Sequence, residues 1–148
     1  MGNEYDPHYV PPRDYYLLGV KTIIVDPHDR LLLLRRSRLT SYAGCWDLPG
    51  GAVGQSEDPI TAAGREAREE TGLFLPTNSF QVVDFVLARK DDSDLLVVGF
   101  TARSSDDRVN LSWEHDDFLW VSFDQIHQYS LSPVVTRLIQ ASNVVCHA

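Results

Sequence analysis

Three glutamates, Glu66, Glu69 and Glu70, fall at i, i+3 and i+4 in a stretch that reads as a helix. At roughly 100° per residue these positions share one face, so their carboxylates are expected to crowd into one patch. Like charges at that spacing destabilise a helix by roughly 0.2–0.5 kcal/mol per pair, and Arg65 and Arg68 offset only part of this. The plain alternative is a solvated acidic face. The chemical alternative is a hard divalent cation. Mg²⁺ prefers oxygen ligands, takes few carboxylates, keeps several waters and completes its shell with substrate phosphates. Just upstream runs Leu48-Pro49-Gly50-Gly51, whose paired glycines permit close backbone approach to a metal or a phosphate.

The helix has start and stop signals. Asp58 is an expected N-cap, Pro59 sits in the first turn where proline is tolerated, and Gly72 is an expected C-terminal stop. Ile60, Ala63 and Ala67 make an apolar stripe beside the glutamates, so one side can pack on a sheet while the acids face a cleft. The spacing Gly51, five residues, Glu57, seven residues, Arg65-Glu66, then Glu69-Glu70, one residue, Gly72-Leu73 resembles the signature box of the Nudix hydrolases. Ala67 departs mildly from it, since the family usually has a larger aliphatic residue there. Nine fixed positions within 23 residues make this far more specific than a lone glycine-rich loop.

The resemblance implies an α+β fold, an α/β/α sandwich with a mixed β-sheet flanked by helices. It implies Mg²⁺-dependent hydrolysis of a diphosphate joined to another group, with Mn²⁺ as a substitute cation. Glu66 and Glu70 would be the main metal ligands and Glu69 a ligand or base. The Gly50 carbonyl would be a further ligand, and Glu57 and Arg65 an ion pair tying loop to helix. Glu114, just before a tryptophan-bearing strand, matches a position that supplies another metal ligand or a base in several branches. His115 beside it would orient a neighbour or a leaving group. The first choice of substrate is a nucleoside triphosphate cleaved to monophosphate and pyrophosphate. The runner-up is a nucleotide-sugar, and a nucleotide-binding sensor without chemistry is the alternative of another class.

Other elements must position these groups. Leu17 to Val25 is apolar except for Lys21 and Thr22, as in a strand buried on both faces. Asp26-Pro27-His28-Asp29 reads as a turn and Leu31 to Arg36 as the return strand of a hairpin. Arg35, Arg36 and Arg38 are either a solvated strand end or a clamp for phosphate oxygens, which guanidinium binds in pairs. Trp46 either stacks on a substrate ring or anchors its loop. Phe80 to Lys90 and Asp94 to Ala102 suggest a second hairpin, Ser104 to Arg108 a mobile loop, and Phe118 to Phe123 a further strand with Trp120 in the core. Pro133 to Ser142 reads as a closing helix capped by Ser132.

At 148 residues, without repeat or linker, the chain is expected to be one domain, with 1–14 an irregular, proline-bearing arm. A net charge of −8 argues against a nucleic-acid duplex, though not against a small phosphorylated nucleotide, because bound cations invert the local field. Two cysteines, Cys45 and Cys146, make no disulfide framework, so a cytoplasmic protein is expected. No apolar run suggests a membrane segment or a signal peptide. Oligomeric state is not legible, a homodimer being the commonest assembly of soluble proteins.

Overall fold

The computed structural model describes residues 6–11 and 15–146. Most of the arm expected over 1–14 therefore lies outside the described residues; within its described part Tyr9 and Val10 are exposed. The chain runs β1 (Leu17–Val25), β2 (Arg30–Arg36), β3 (Trp46–Asp47), β4 (Gly50–Ala52), α1 (Pro59–Thr71), β5 (Gln81–Lys90), β6 (Ser93–Arg103), β7 (His115–Ser122) and α2 (Pro133–Cys146). Two 3₁₀ turns, Thr77–Ser79 and Phe123–Gln128, precede β5 and α2.

β1 is the central strand. It pairs in parallel with β6 along its whole length, Leu17 opposite Leu95 through Val25 opposite Arg103. Its side chains alternate between two cores: Val20 and Ile24 face one, Ile23 and Val25 the other. β2 does the same with Leu32 and Leu34 against Leu31 and Leu33. Burial on both faces explains the nearly continuous apolar runs. Helix α1 covers the first face through Ala62, Ala63 and Ala67. Helix α2 covers the second through Val135, Leu138 and Ile139, each side chain contributing roughly 1.5–3 kcal/mol by burial. The result is a mixed sheet between helices, the expected α/β/α layering.

The first hairpin differs from a simple return strand. β1 and β2 pair only at Val25 and Leu31 and then diverge. The wedge between them is filled by β3 on the β2 side and β4 on the β1 side. β4 lays Gly50 opposite Lys21 and Gly51 opposite Val20, and the Thr22 N–H donates to the Pro49 carbonyl at 2.8 Å. The glycine bend is thus pinned to the central strand rather than hanging as a loop. On its far edge β2 pairs with β7, Arg36 standing opposite His115. β7 therefore begins at His115, three residues before its expected start, because the ladder with β2 holds the chain extended there.

One further expectation needs correction and another refinement. The segment Ser104–Arg108 is tied down, not mobile: Ser104 is buried, its N–H donates to the Val25 carbonyl at 2.9 Å, and the Asp107 carbonyl accepts from the Trp120 indole at 2.9 Å. Trp120 does pack against the core of the α1 face, as expected, but is only half-buried, its ring edge reaching that loop.

Candidate active site

Helix α1 begins and ends on its capping residues. The Asp58 carboxylate accepts from the Ile60 N–H at 2.9 Å, and Gly72, at φ 73°, donates its N–H to the Arg68 carbonyl. Small residues at 62, 63 and 67 let the helix lie close on the sheet. Glu66 and Glu70 flank that stripe and are carried down beside β4.

The carboxylates do not form the single three-membered patch expected. Glu66 and Glu70 are buried, at 9% and 2% exposure, while Glu69 is exposed. The reason is rotation: Glu69 precedes Glu70 by about 100° around the axis, away from the sheet. Glu70 accepts from the Gly50 N–H at 2.9 Å. Burial pushes its carboxyl up to about 8; the Gly50 N–H and the Lys21 charge oppose this, and Glu66 and Glu114 add to it. Glu66 is also raised, first by burial, with Arg65 opposing and Glu69 and Glu114 reinforcing. Glu114, half-buried ahead of β7, is close enough for its charge to act on both buried acids.

Both glycines of the bend are closely approached, Gly50 by backbone and Gly51 by the end of a side chain. A side chain at Gly50 would collide with the Val20 carbonyl of β1. A Cβ on Gly51 would stand 2.5 Å from Glu66 Oε1. Each makes room for protein: Gly50 for the central strand, Gly51 for a candidate ligand.

Arg65 clamps the loop to the helix. Its Nε and Nη2 donate to the two Glu57 oxygens at 2.9 and 3.0 Å. It also reaches Glu66 at 2.8 Å, Glu69 at 3.3 Å and the Ala52 carbonyl at 3.1 Å. The Glu57 carboxyl is held down at about 2, chiefly by Arg65 and then by the Gly54 N–H. Arg65 is raised above its ordinary value by the same pairing.

The residues expected at the substrate are engaged within the protein. Arg35 binds Asp116 at 2.7 Å and Asp117 at 3.5 Å, and lies 5.9 Å from the centre of the Trp46 ring. Trp46 packs edge-on to Tyr129 at 6.1 Å. Arg36 donates to the Ser41 carbonyl at 2.6 Å and reaches Asp47 at 3.5 Å.

Sequence reasoning missed the cluster beneath them. Lys21 binds Asp47 at 2.6 Å, so two cations converge on one carboxylate. His115 is buried beside them, its Nδ1 without a partner among the described residues, its pKa pushed down to about 4 by burial and then by Arg36. The available signal was Lys21 itself, a lone charge in an apolar strand.

Among the described residues, no three acidic, histidine or cysteine side chains are drawn into a ready metal cage. Glu66 is turned to Arg65 and Glu70 to the Gly50 N–H. The donor set nevertheless fits a hard cation. It is all oxygen, and neighbouring carboxylates push both buried acids up, Glu66 and Glu114 acting on Glu70 and Glu69 and Glu114 on Glu66, a repulsion that a dication on that face would remove.

Comparison with known proteins agrees with this arrangement. The model of the NUDIX domain matches residues 16–141. The CTP pyrophosphohydrolase of Escherichia coli K12 is 26% identical over 127 residues, spanning 84% of this chain and 90% of that one. A CMP-5'-(N-acetyl-N-hydroxy-3-aminopropyl)phosphonate hydrolase of Streptomyces rubellomurinus is 46% identical over 61 residues, covering 40% of this chain and 29% of its own length. Among solved structures, the MutT protein of Methanosarcina mazei Go1 superposes with a TM-score of 0.73 at 29% identity, covering 88% of this chain and 94% of the other. The match takes in the glycine bend, the glutamate helix and the strands that hold them, and the chain therefore belongs to the Nudix hydrolases, enzymes acting on phosphoric anhydride bonds.

Proposed function

We propose that the chain is one catalytic domain that hydrolyses a nucleoside triphosphate to monophosphate and pyrophosphate in the presence of Mg²⁺, with Mn²⁺ as a substitute. The observation that carries this reading is the buried pair Glu66 and Glu70, set against Gly50 and Gly51 and within the electrostatic reach of Glu114. Glu66, Glu70 and the Gly50 carbonyl would hold the cation, and Glu69 would complete its outer surroundings. A bound dication supplies charge neutralisation at phosphate oxygens and lowers the pKa of an attached water. Glu114 takes or orients the proton of the attacking water, the scale of such help being roughly 10²–10⁴-fold. Water oxygen joins phosphorus, the bridge between α- and β-phosphates breaks, and pyrophosphate leaves. Arg65 keeps Glu66 and the bend in register. Arg35, Arg36 and Trp46 border the substrate; for either arginine to bind phosphate it must exchange an internal partner for it. The substrate is a small nucleotide met in the cytoplasm, with no nucleic-acid duplex and no membrane as partner. No helix among the described residues is long and apolar enough to cross a membrane.

Cytidine nucleotides come first in the substrate panel, because the two curated relatives above are named for CTP and for a CMP-linked phosphonate. The second of these also supports the runner-up, a nucleoside phosphate joined to a non-nucleotide group. A panel of nucleoside triphosphates and nucleotide-sugars with Mg²⁺, read by product chromatography, tests both. Pyrophosphate release from triphosphates is the expected result. Turnover of nucleotide-sugars alone would replace the first reading with the second. Binding without any turnover would leave a sensor.

A further inference from the structure

Residues Asn110 to Glu114 span from the end of the glutamate helix to the end of β2. At one side the Asn110 N–H donates to the Thr71 carbonyl at 2.8 Å. At the other the Ser37 N–H donates to the Glu114 carbonyl at 2.9 Å. Between them the His115 N–H closes a turn on the Ser112 carbonyl at 3.3 Å, and Leu111 packs against the core of the α1 face. The backbone is thus anchored at both ends and in the middle.

Trp113 rides on this fixed segment and is 67% exposed. Trp46 and Trp120 are half-buried, one against Tyr129 and one bonded to the Asp107 carbonyl. Among the described residues Trp113 has neither a ring partner nor a hydrogen bond for its indole. A large apolar ring kept in water on a rigid backbone is a poor contribution to folding and a good one to binding. It has a broad π-face and few rotamers to lose. Its Cα is one residue, about 3.8 Å, from that of Glu114. A nucleoside holds its base one ribose away from its α-phosphate, and Trp113 is the exposed aromatic side chain next in sequence to Glu114.

We propose that Trp113 is the stacking platform for the aromatic base of the substrate, and so a specificity-determining residue that selects nucleotides over base-free polyphosphates. The inference rests on the nucleotide reading above. It predicts sequence-tolerant affinity, because every base offers a π-face.

The test is calorimetric binding of α,β-methylene CTP and of inorganic tripolyphosphate to the full chain with Mg²⁺. Wild type, Trp113→Ala and Trp113→Phe are compared. Trp113→Ala weakens nucleotide binding about tenfold, within the range for losing one base–aromatic stack. Tripolyphosphate binding stays unchanged, which also shows that the site is intact. Trp113→Phe restores most of the affinity. Unchanged nucleotide binding in Trp113→Ala overturns the proposal, and so does an equal loss for both ligands. Wild type that binds the nucleotide no more tightly than tripolyphosphate overturns it too. A chain that binds through Trp113 yet turns over no nucleotide removes the hydrolase reading and leaves the platform standing.

Discussion

Glu70→Gln separates the charge of the most buried acid from its shape. Glutamine keeps an oxygen for the Gly50 N–H, which donates to Glu70 at 2.9 Å, and fills the same volume at 2% exposure. What it removes is an ionisation that the fold opposes. The folded carboxyl holds its proton up to about pH 8, against an ordinary value of 4.5. Stability from that proton is fully present below pH ~4.5 and is lost as pH rises through about 8, because the unfolded chain releases the proton earlier. Between pH ~6 and pH ~9 the metal-free wild type should lose on the order of 2–3 kcal/mol from this group, at about 1.4 kcal/mol per pH unit while only the unfolded carboxyl is ionised. Glu70→Gln should lack that loss. Urea denaturation in EDTA at the two pH values, wild type against variant, measures the difference directly. The same substitution should lower Mg²⁺-dependent turnover at least ~100-fold, since a charge-stabilising ligand is gone. Equal pH slopes in the two proteins would refute the burial argument. Undiminished turnover by the variant would refute the ligand assignment.

Other substitutions probe the frame around that acid. Gly51→Ala sets a methyl 2.5 Å from Glu66 Oε1 and should cut kcat/KM by roughly 10–100-fold through a displaced ligand; an unchanged kcat/KM would contradict this. Arg65→Lys loses the paired bonds to Glu57 at 2.9 and 3.0 Å, because an ammonium cannot reproduce the guanidinium fork. It should raise the Mg²⁺ concentration for half-maximal activity about tenfold, and wild-type metal dependence would show that the clamp is dispensable. Leu138→Ala removes a fully buried side chain from the α2 core and should cost about 2–5 kcal/mol in urea denaturation; a loss well below 1 kcal/mol would mean α2 is not docked as described.

Much of this was legible in the sequence because it is written locally. Asp58, Pro59 and Gly72 cap α1 by short-range geometry, and the apolar runs of β1 and β2 mark strands buried on both faces. The acidic helix and the Glu57–Arg65 spacing were visible as a motif. What escaped was non-local. The divergence of β1 and β2 depends on β3 and β4 entering the wedge, and two strands of two and three residues carry too little pattern to announce themselves. Helical spacing placed Glu69 with its neighbours, but only packing against the sheet decides which of the three acids is buried. Lys21 was visible as an exception and unexplained until Asp47 appeared opposite it. The loop 104–108 was read as mobile from its polarity, whereas its polar groups are spent on Val25, Trp120 and Arg30.

The most direct measurement is a crystal structure with Mg²⁺ and a non-hydrolysable nucleoside triphosphate. A cation about 2.1 Å from carboxylate oxygens of Glu66 and Glu70, beside the phosphates, is the expected result, with Glu114 near the attacking water. A bound nucleotide whose cation sits elsewhere, with Glu66 still held by Arg65 and Glu70 still on the Gly50 N–H, would contradict it.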